Sequence, residues 1–508
     1  MTFSGSVSPV KADGWTGAVR VPMASEVAQN SDDPSLPNGA YHAQMPAWKV
    51  MRAVLGGNHY FRLAARDYIP RLPNESDECY ERRLSGNLFS PYTQRIVDAA
   101  CGLILRKPIV LDGGNEEYWS NWRKNCDRQG TDLDEFARHL LQLSIGYGHA
   151  SMLVDFPKAD NIKTLADEVE AKLTPYLGLV EPWEILGWRQ DVKQDGGELQ
   201  QVRLREVVVE PDGEFGEETI EQIRVLERGS YRLFRKDKSS EWVEVESGQT
   251  SLDRVPLVTT YSDKKGVMLS EPALLDVAYI NIAHYRLQSQ HLNALQVAGF
   301  PLLVLKGWDS QDQKIQVDVS KALAFGSDPG AGASYVEPSN AAFGAYQEEL
   351  SQLESQMSNL GISILAEQKR VAESGLSKQL DRADSNSMLA VISADLQQCL
   401  QKAIDMAAEY AGQEPPTVEI SRDFDSTPLD GGSITSINTM FTSGLIDQET
   451  ALHLLYQGEV LGDSLNIEEI MSRAENQELH DIDMQVQRTE AMAEIGEGTP
   501  AADDNLNG

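Results

Sequence analysis

The feature that most constrains this chain is a seam of apolar and small residues toward its C-terminal end. Seven such residues alternate by three and four without a break, within a helical pattern that runs from about Leu376 to Tyr410. This spacing predicts an α-helix with one buried face. A helix of about 35 residues is roughly 50 Å long, well beyond the typical length of about 10–14 residues. The seam consists of Leu389, Ile392, Leu396, Cys399, Ala403, Met406 and Tyr410.

A second seam precedes the first and predicts another helix. Ser270 is placed to cap it, Pro272 would lie in its first turn, and Gly299 followed by Pro301 ends it. Strict alternation by three and four predicts a neighbouring helix, in the same chain or in another copy. The seam positions are Leu275, Ala278, Ile282, Tyr285, Ser289 and Leu292, and all but Ser289 are our candidate subunit and stem packing residues.

The charge of the chain restricts its partners. The 508 residues carry 44 Lys and Arg against 78 Asp and Glu, a net charge of −34. Such a surface repels phosphate backbones, which excludes simple coating of nucleic acid. Residues 1–110 hold 12 basic and 10 acidic residues, whereas residues 459–508 hold 2 and 13. The asymmetry indicates surfaces with different partners.

The remaining patterns predict an α+β fold with more than one folding unit, since single cores stop growing at about 250–300 residues. Residues 1–40 are rich in Ser, Pro, Gly and Asn and are expected to be an extended arm. A helix is predicted over Asp132–Ile145, followed by a buried strand over Ala150–Asp155. From Tyr176 to Tyr261 the period shifts toward two, which predicts an antiparallel meander.

No motif of catalysis or metal binding stands out. The chain lacks the GxxxxGK[ST], GxSxG and HExxH patterns. His284 and His291 are two helical turns apart, about 10 Å, which is too far to share one metal. We expect them to form an exposed or interface-facing stripe. The sequence therefore predicts no catalytic, cofactor-binding or metal-binding residues, and a chain that is not an enzyme. The cysteines show no CxxC spacing and are expected to be reduced thiols: Cys79, Cys101, Cys126 and Cys399.

Targeting and membrane signals are also lacking. The first thirty residues contain no charged segment followed by an apolar one, so no signal peptide is expected. The longest apolar stretch, from Val297 to Leu305, spans about nine residues, whereas a membrane helix needs roughly 20. The sequence predicts a soluble protein without a membrane partner.

Seven stretches of the sequence resemble a known family through their order and spacing along the chain. The strongest are LLDVAYINIAHY at Leu274–Tyr285 and LDRADSN at Leu380–Asn386. The others are YERR at Tyr80–Arg83, IVDAACGLILRKP at Ile96–Pro108, GYGHASMLVDFP at Gly146–Pro157, EPWEILGW at Glu181–Trp188 and RVPLV at Arg254–Val258. Over roughly residues 45–480 the chain resembles the portal proteins of tailed bacteriophages, in a branch of unknown function.

The resemblance implies a portal-type subunit with an α/β wing, a two-helix stem, a small β-containing clip, a long wing helix and a helical crown. It places the wing at 41–265, the first stem helix at 266–298, the clip at 299–340, the second stem helix at 341–360, the tunnel loop at 361–378, the long wing helix at 379–412, and the crown with the acidic C-terminal tail at 413–508. The N-terminal extended arm at residues 1–40 departs from better-known portals.

The resemblance also implies a function. Portal subunits form a ring, usually a homododecamer, at one capsid vertex, through which genomic DNA is packaged and ejected. The implied partners are other copies of the chain, double-stranded DNA in the tunnel, the terminase packaging motor, the head–tail adaptor and the major capsid protein. The implied location is the virion, and the bacterial host cytoplasm during assembly.

An acidic lining suits such a conduit, because each Lys or Arg contact to phosphate would add affinity that slows DNA. Lys369, Arg370 and Lys378 fall in or beside the implied tunnel loop and are our DNA-channel candidates. Two other classes remain open: another head–tail connector or minor head protein, and an enzyme with an unrecognised site in residues 176–260.

Overall fold

A computed structural model gives the fold of the chain. Contacts divide it into two compact units, Met1–Phe424 and Asp425–Gly508. Most of the predicted N-terminal arm, the predicted acidic tail and the centre of the predicted tunnel loop lie outside the described residues. The structure describes residues 32–157, 173–190, 198–299, 302–306, 330, 332–336, 341–365, 375–422, 424 and 431–457.

Six helices open the first unit. Side chains cap several of them: Asn38 Oδ1 accepts a hydrogen bond from the Tyr41 amide at 2.8 Å, and Asp132 Oδ1 accepts one from the Glu135 amide at 2.8 Å. The helix predicted over 132–145 is confirmed as the last of them. They are α1 (Gly39–Leu55), α2 (Gly57–Tyr68), α3 (Asp77–Ser85), α4 (Tyr92–Ile104), α5 (Glu116–Arg123) and α6 (Leu133–Tyr147).

The strands confirm an α+β fold, with two larger sheets in the first unit. One has the order β3-β2-β9, and the other is an antiparallel meander of five consecutive strands, β4 to β8, as predicted. The strands are β1 (Val110–Asp112), β2 (His149–Asp155), β3 (Tyr176–Val180), β4 (Ile185–Gln190), β5 (Leu199–Asp212), β6 (Gly216–Glu227), β7 (Ser230–Lys236), β8 (Trp242–Gln249), β9 (Leu257–Tyr261), β10 (Lys264–Gly266), β11 (Leu269–Ser270), β12 (Leu302–Lys306), β13 (Gly332–Val336) and β14 (Thr417–Glu419).

The passage from α6 to β2 depends on one glycine. Gly148 has a φ of +96°, a backbone conformation that residues with a Cβ rarely adopt. A Cβ there would also lie 2.5 Å from Ser270 Oγ. Ser270 itself belongs to β11, and its hydroxyl lies 2.8 Å from His149 Nδ1. The prediction that Ser270 caps the following helix is therefore wrong, because its side chain is held by β2.

Three long helices follow: α7 (Leu275–Ala298), α8 (Ala341–Leu365) and α9 (Gly375–Ala411). α8 ends and α9 begins inside the range implied for the tunnel loop, so the chain between them is residues 366–374. The second compact unit contains α10 (Gly431–Thr442) and α11 (Gln448–Gln457) within the range implied for the crown.

The seam of α9 is buried, as predicted, but much of its partner is a sheet. Six of its seven residues are at most 7% exposed, and Tyr410 is half-buried. The helix crosses β9 and β2 and also packs against α8. Asp395 on α9 accepts hydrogen bonds from the Tyr261 amide at 2.7 Å and from Thr260 Oγ1 at 2.9 Å, both at the outer edge of β9. The main core thus lies between this sheet and the helices around it.

Candidate functional site

α7 and α8 form an antiparallel pair. His284 Nε2 lies 3.1 Å from Glu354 Oε1, and further along α7 the His291 ring stacks on Tyr346 with centroids 5.4 Å apart. Moving forward along α7 therefore means moving backward along α8. In the chain, β12 follows α7 and β13 precedes α8, and the two strands form an antiparallel ladder from Leu302↔Val336 to Lys306↔Gly332. The site is a helix pair connected through a β ladder.

The opposite face of α7 packs against the N-terminal helices. The Tyr285 ring meets Phe61 edge-on at 4.7 Å, and the Tyr285 hydroxyl donates to the Leu84 carbonyl at 3.3 Å. Among the predicted packing residues, Ala278 and Tyr285 are 0% exposed and Ile282 is 3% exposed, while Leu275 and Leu292 are half-buried. Ala278, Ile282 and Tyr285 belong to the chain's own core, and Leu275 packs against it.

Polar side chains lock α7 to α4. Asn281 is 0% exposed, and its Oδ1 accepts hydrogen bonds from the amide and hydroxyl of Thr93 at 3.3 and 3.2 Å. Its Nδ2 donates to the Ser90 carbonyl at 3.0 Å. Pro91, the residue before α4, makes no capping bond of its own. Asn281 therefore supplies the acceptor that the first turn of α4 lacks.

Further hydrogen bonds hold α7 against α3 and the residues that follow it. Asn87 Nδ2 donates to the Tyr285 carbonyl at 3.0 Å, and Ser289 Oγ donates to the Arg83 carbonyl at 3.1 Å. Arg83 is itself held by Glu75 in a two-point ion pair, at 2.8 and 2.7 Å, with both side chains at most 5% exposed. This arrangement lowers the pKa of Glu75, mainly through the hydrogen bonds from Arg83. One face of α7 is thus firmly anchored.

The histidine stripe is not exposed, which corrects one alternative of the sequence prediction. His284 is 3% and His291 8% exposed, because α8 covers them. The Tyr92 ring also meets His284 edge-on at 5.5 Å. No local sequence pattern identifies this contact, because His284 and Glu354 are 70 residues apart in the chain.

The α7–α8 face has unmet hydrogen-bonding capacity. Within the described chain, four buried side-chain atoms on α7 have no hydrogen-bond partner: His284 Nδ1, Arg286 Nη2, Gln288 Oε1 and His291 Nε2. Each unpaired buried polar group costs about 1–3 kcal/mol. His284 and His291 contact α8, whereas Arg286 lies toward the N-terminal helices, where its Nε donates to the Tyr68 carbonyl.

The outer face of α8 is polar and free of positive charge. Residues 341–365 contain no Lys or Arg and three Glu: Glu348, Glu349 and Glu354. The exposed positions are mostly small or uncharged polar residues, such as Ser351, Gln352, Ser355, Gln356, Ser358 and Asn359. This face therefore carries no cation that could bind a phosphate.

The side chains of the predicted DNA-channel residues lie outside the described part of the chain. Lys369 and Arg370 are outside the described residues, and Lys378 lies on the first turn of α9, where only the backbone is described. The structure therefore gives no position for these three side chains.

Burial shifts the pKa values of several titratable groups in the described part of the chain. Burial lowers the pKa of His149 to about 4 and raises the pKa values of Cys101 and Cys126 to about 12. Burial, with smaller contributions from Glu181 and Glu206, raises the pKa of Glu184 to about 7. Within the described ranges, no group of three or more His, Cys, Asp or Glu is placed to hold a metal. None of the helices described there combines the length and apolar character needed to cross a bilayer.

One family model matches part of the chain. Residues 273–411, from just before α7 to the end of α9, match a family described as "Domain of unknown function (DUF4055)", which is less than half of the chain. No curated protein matches the chain.

Solved structures with some likeness come from gene transfer agent (GTA) particles. The neck of an empty particle, computed with C6 symmetry, has a chain with a TM-score of 0.42 at 10% identity, covering 76% of this chain and 95% of that one. The virion of the native particle and its neck, computed with C12 symmetry, each give a TM-score of 0.37 at 11% identity, covering 78% and 98%. At these values the likeness assigns neither fold nor function to this chain.

Proposed function

We propose that this chain is a structural component of the head–tail neck of a phage-like particle, and more specifically a portal subunit. In this proposal a ring of copies surrounds a tunnel for double-stranded DNA at one capsid vertex. The terminase packaging motor and then the head–tail adaptor dock on the ring, which sits within the major capsid protein shell. The role is mechanical and requires no catalytic residue.

The observation that carries the proposal is the antiparallel pair α7–α8 with the β12–β13 ladder between them in the chain. The sequence resemblance implies a stem of two helices separated by a β-containing clip in this same order. One face of α7 is anchored in the core through Asn281 and Tyr285. The pair therefore has a fixed base in the wing and a second helix, α8, whose outer face is available to line a passage.

Electrostatics supports the same function. A protein that binds DNA phosphates with Lys or Arg gains affinity that depends steeply on salt, and such affinity would hold moving DNA in place. α8 contains no Lys or Arg, and the whole chain has a net charge of −34. A passage lined by serine, glutamine and a few carboxylates repels phosphates weakly and lets DNA pass. Lys369, Arg370 and Lys378 remain the candidates for the few positive contacts.

The test is the mass of the purified chain in solution, measured by light scattering, with negative-stain images of the same fractions. We expect a closed ring of about a dozen copies with a central hole, because one heterologous contact repeated by rotation closes a ring. The measurement is repeated at several salt concentrations, since acidic surfaces repel each other least at high salt. A chain that remains a monomer or dimer at every salt and protein concentration contradicts the proposal.

A further inference from the structure

One part of the five-stranded meander extends beyond its neighbours. β5 and β6 pair from Gln201↔Glu227 to Asp212↔Gly216, but β4 pairs with β5 only as far as Leu204, and β7 pairs with β6 only as far as Gln222. In the described part of the chain, residues 207–221 therefore form a two-stranded ribbon without a flanking strand, here called the β-arm. Arg235 of β7 reaches Glu210 of the β-arm at 2.8 Å, so the base of the β-arm is tied to the sheet and its tip is the part without support. A two-stranded ribbon without further strands is marginally stable in water, so the tip gains from a partner.

The surface of the β-arm is apolar at selected points and otherwise acidic. Phe215, at the tip, is 92% exposed, and Val207 and Val209, which share one face of β5, are 62% and 56% exposed. The arm contains no Lys or Arg and six carboxylates: Glu210, Asp212, Glu214, Glu217, Glu218 and Glu221. Glu210 is ion-paired with Arg235 at 2.8 Å and Glu221 with Arg205 at 3.2 Å, both within the same chain. A matching partner surface needs an apolar recess for a phenyl ring with a positive charge beside it.

The same chain offers such a recess at another place. A depression of about 280 Å³, open to solvent, is lined by Arg52, Leu55, Tyr60, Tyr147, Glu181 and Trp183, among others. The Arg52 guanidinium lies over the Trp183 ring at 5.1 Å, and Tyr147 meets that ring edge-on at 4.8 Å. We call this depression the Trp183 recess. It combines aromatic walls, which accept a further ring edge-on, with one cation, Arg52, and one carboxylate, Glu181.

We infer that the β-arm of one copy docks on a neighbouring copy, with Phe215 entering the Trp183 recess and Arg52 facing Glu214 or Glu217. The occupant is a second copy and not the same chain, because Phe215 is almost fully exposed within its own chain. Arm and recess are different surfaces, so the contact is heterologous and repeats around a ring. The inference rests on the proposed function, since it supplies the contact by which that ring closes.

Cysteine cross-linking tests the contact. Phe215→Cys is combined with Tyr60→Cys, which is 52% exposed at the recess, in a chain that also carries Cys79→Ser to remove the half-exposed native thiol. We expect covalent multimers under oxidising conditions. The matched control replaces Phe215→Cys by Val245→Cys, which is 51% exposed on β8 of the same sheet, and should give none.

A second variant measures the energetic contribution. Phe215→Ser should leave the melting curve of the single subunit unchanged, because the side chain makes little contact within its own chain. It should raise the subunit concentration needed for half-maximal assembly at least about tenfold, since a buried aromatic anchor is worth more than about 1.4 kcal/mol.

The outcomes separate the two proposals. Rings that form without the Phe215–Tyr60 cross-link, or that assemble equally well with Phe215→Ser, overturn the β-arm inference and leave the portal proposal standing. A chain that forms neither rings nor cross-linked multimers overturns both. Cross-links that appear without rings support the contact and count against a portal.

Discussion

At the scale of single residues, burial decides how ionisable groups behave in this protein. His149 is 1% exposed, with its Nδ1 on Ser270 Oγ and the Trp48 and Tyr261 rings about it at 5.8 and 6.0 Å. Desolvation lowers its pKa to about 4, compared with about 6.5 for a free histidine. The folded chain thus keeps a neutral imidazole under mildly acidic conditions.

This pKa predicts a pH dependence of stability. Above pH 6.5 His149 is neutral in both states and contributes nothing. As pH falls from about 6.5 to about 4, the unfolded chain binds a proton that the folded chain does not, and the free energy of unfolding decreases by about 3 kcal/mol. His149→Asn keeps a hydrogen-bonding group near Ser270 and should remove this part of the slope. Denaturant unfolding between pH 7 and pH 4.5 measures the difference from the unaltered chain.

The matched control is His139→Asn. His139 is exposed on α6, and its replacement should leave the slope as it is in the unaltered chain. Equal slopes for His149→Asn and the unaltered chain would show that His149 is protonated in the folded state, which contradicts the argument from burial.

At the scale of elements, sequence patterns predicted the helices more reliably than they predicted which elements pack against those helices. The alternation in α9 predicted its buried face, but periodicity does not say what covers that face, and here much of the cover is a sheet. The same limit applies to α7: His284 and Glu354 are 70 residues apart, and no local pattern joins them. Asn281 was missed as well, because a single polar residue within an apolar seam gives no sign that it caps another helix.

Asn281 offers a test of how α7 is joined to α4. Asn281→Ala removes the acceptor for Thr93 and the donor for the Ser90 carbonyl in a buried place. We expect the free energy of unfolding to fall by about 2 kcal/mol, the cost of leaving such groups unpaired. Thermal or denaturant unfolding checks the value.

Asn293, half-buried further along the same helix, gives the comparison. Asn293→Ala should change stability by less than about 0.5 kcal/mol, as substitutions away from buried networks do. A similar decrease in the free energy of unfolding for both variants would contradict this prediction. It would show that the hydrogen bonds between Asn281 and α4 are not the cause.

At the scale of the whole molecule, the distribution of charge is the property to test. The triple substitution Lys369→Glu, Arg370→Glu and Lys378→Glu reverses the three candidate channel charges. In particles assembled with this variant we expect reduced packaging or retention of DNA, because contacts that slow the backward movement of DNA are lost, while the ring has normal mass and shape.

Lys402→Glu is the control for that experiment, since Lys402 is an exposed lysine further along α9. It should not affect DNA retention. Unchanged packaging in the triple variant would show that Lys369, Arg370 and Lys378 have no part in the proposed passage of DNA.

The bond between Asp395 and β9 has a consequence for the edge of the sheet β3-β2-β9. An uncovered outer strand invites the strand of a second molecule to pair with it, which leads to irreversible aggregates in crowded conditions. Asp395 occupies the Tyr261 amide, and α9 lies over the strand. The β9 edge of this sheet is therefore protected against pairing with a strand of another molecule.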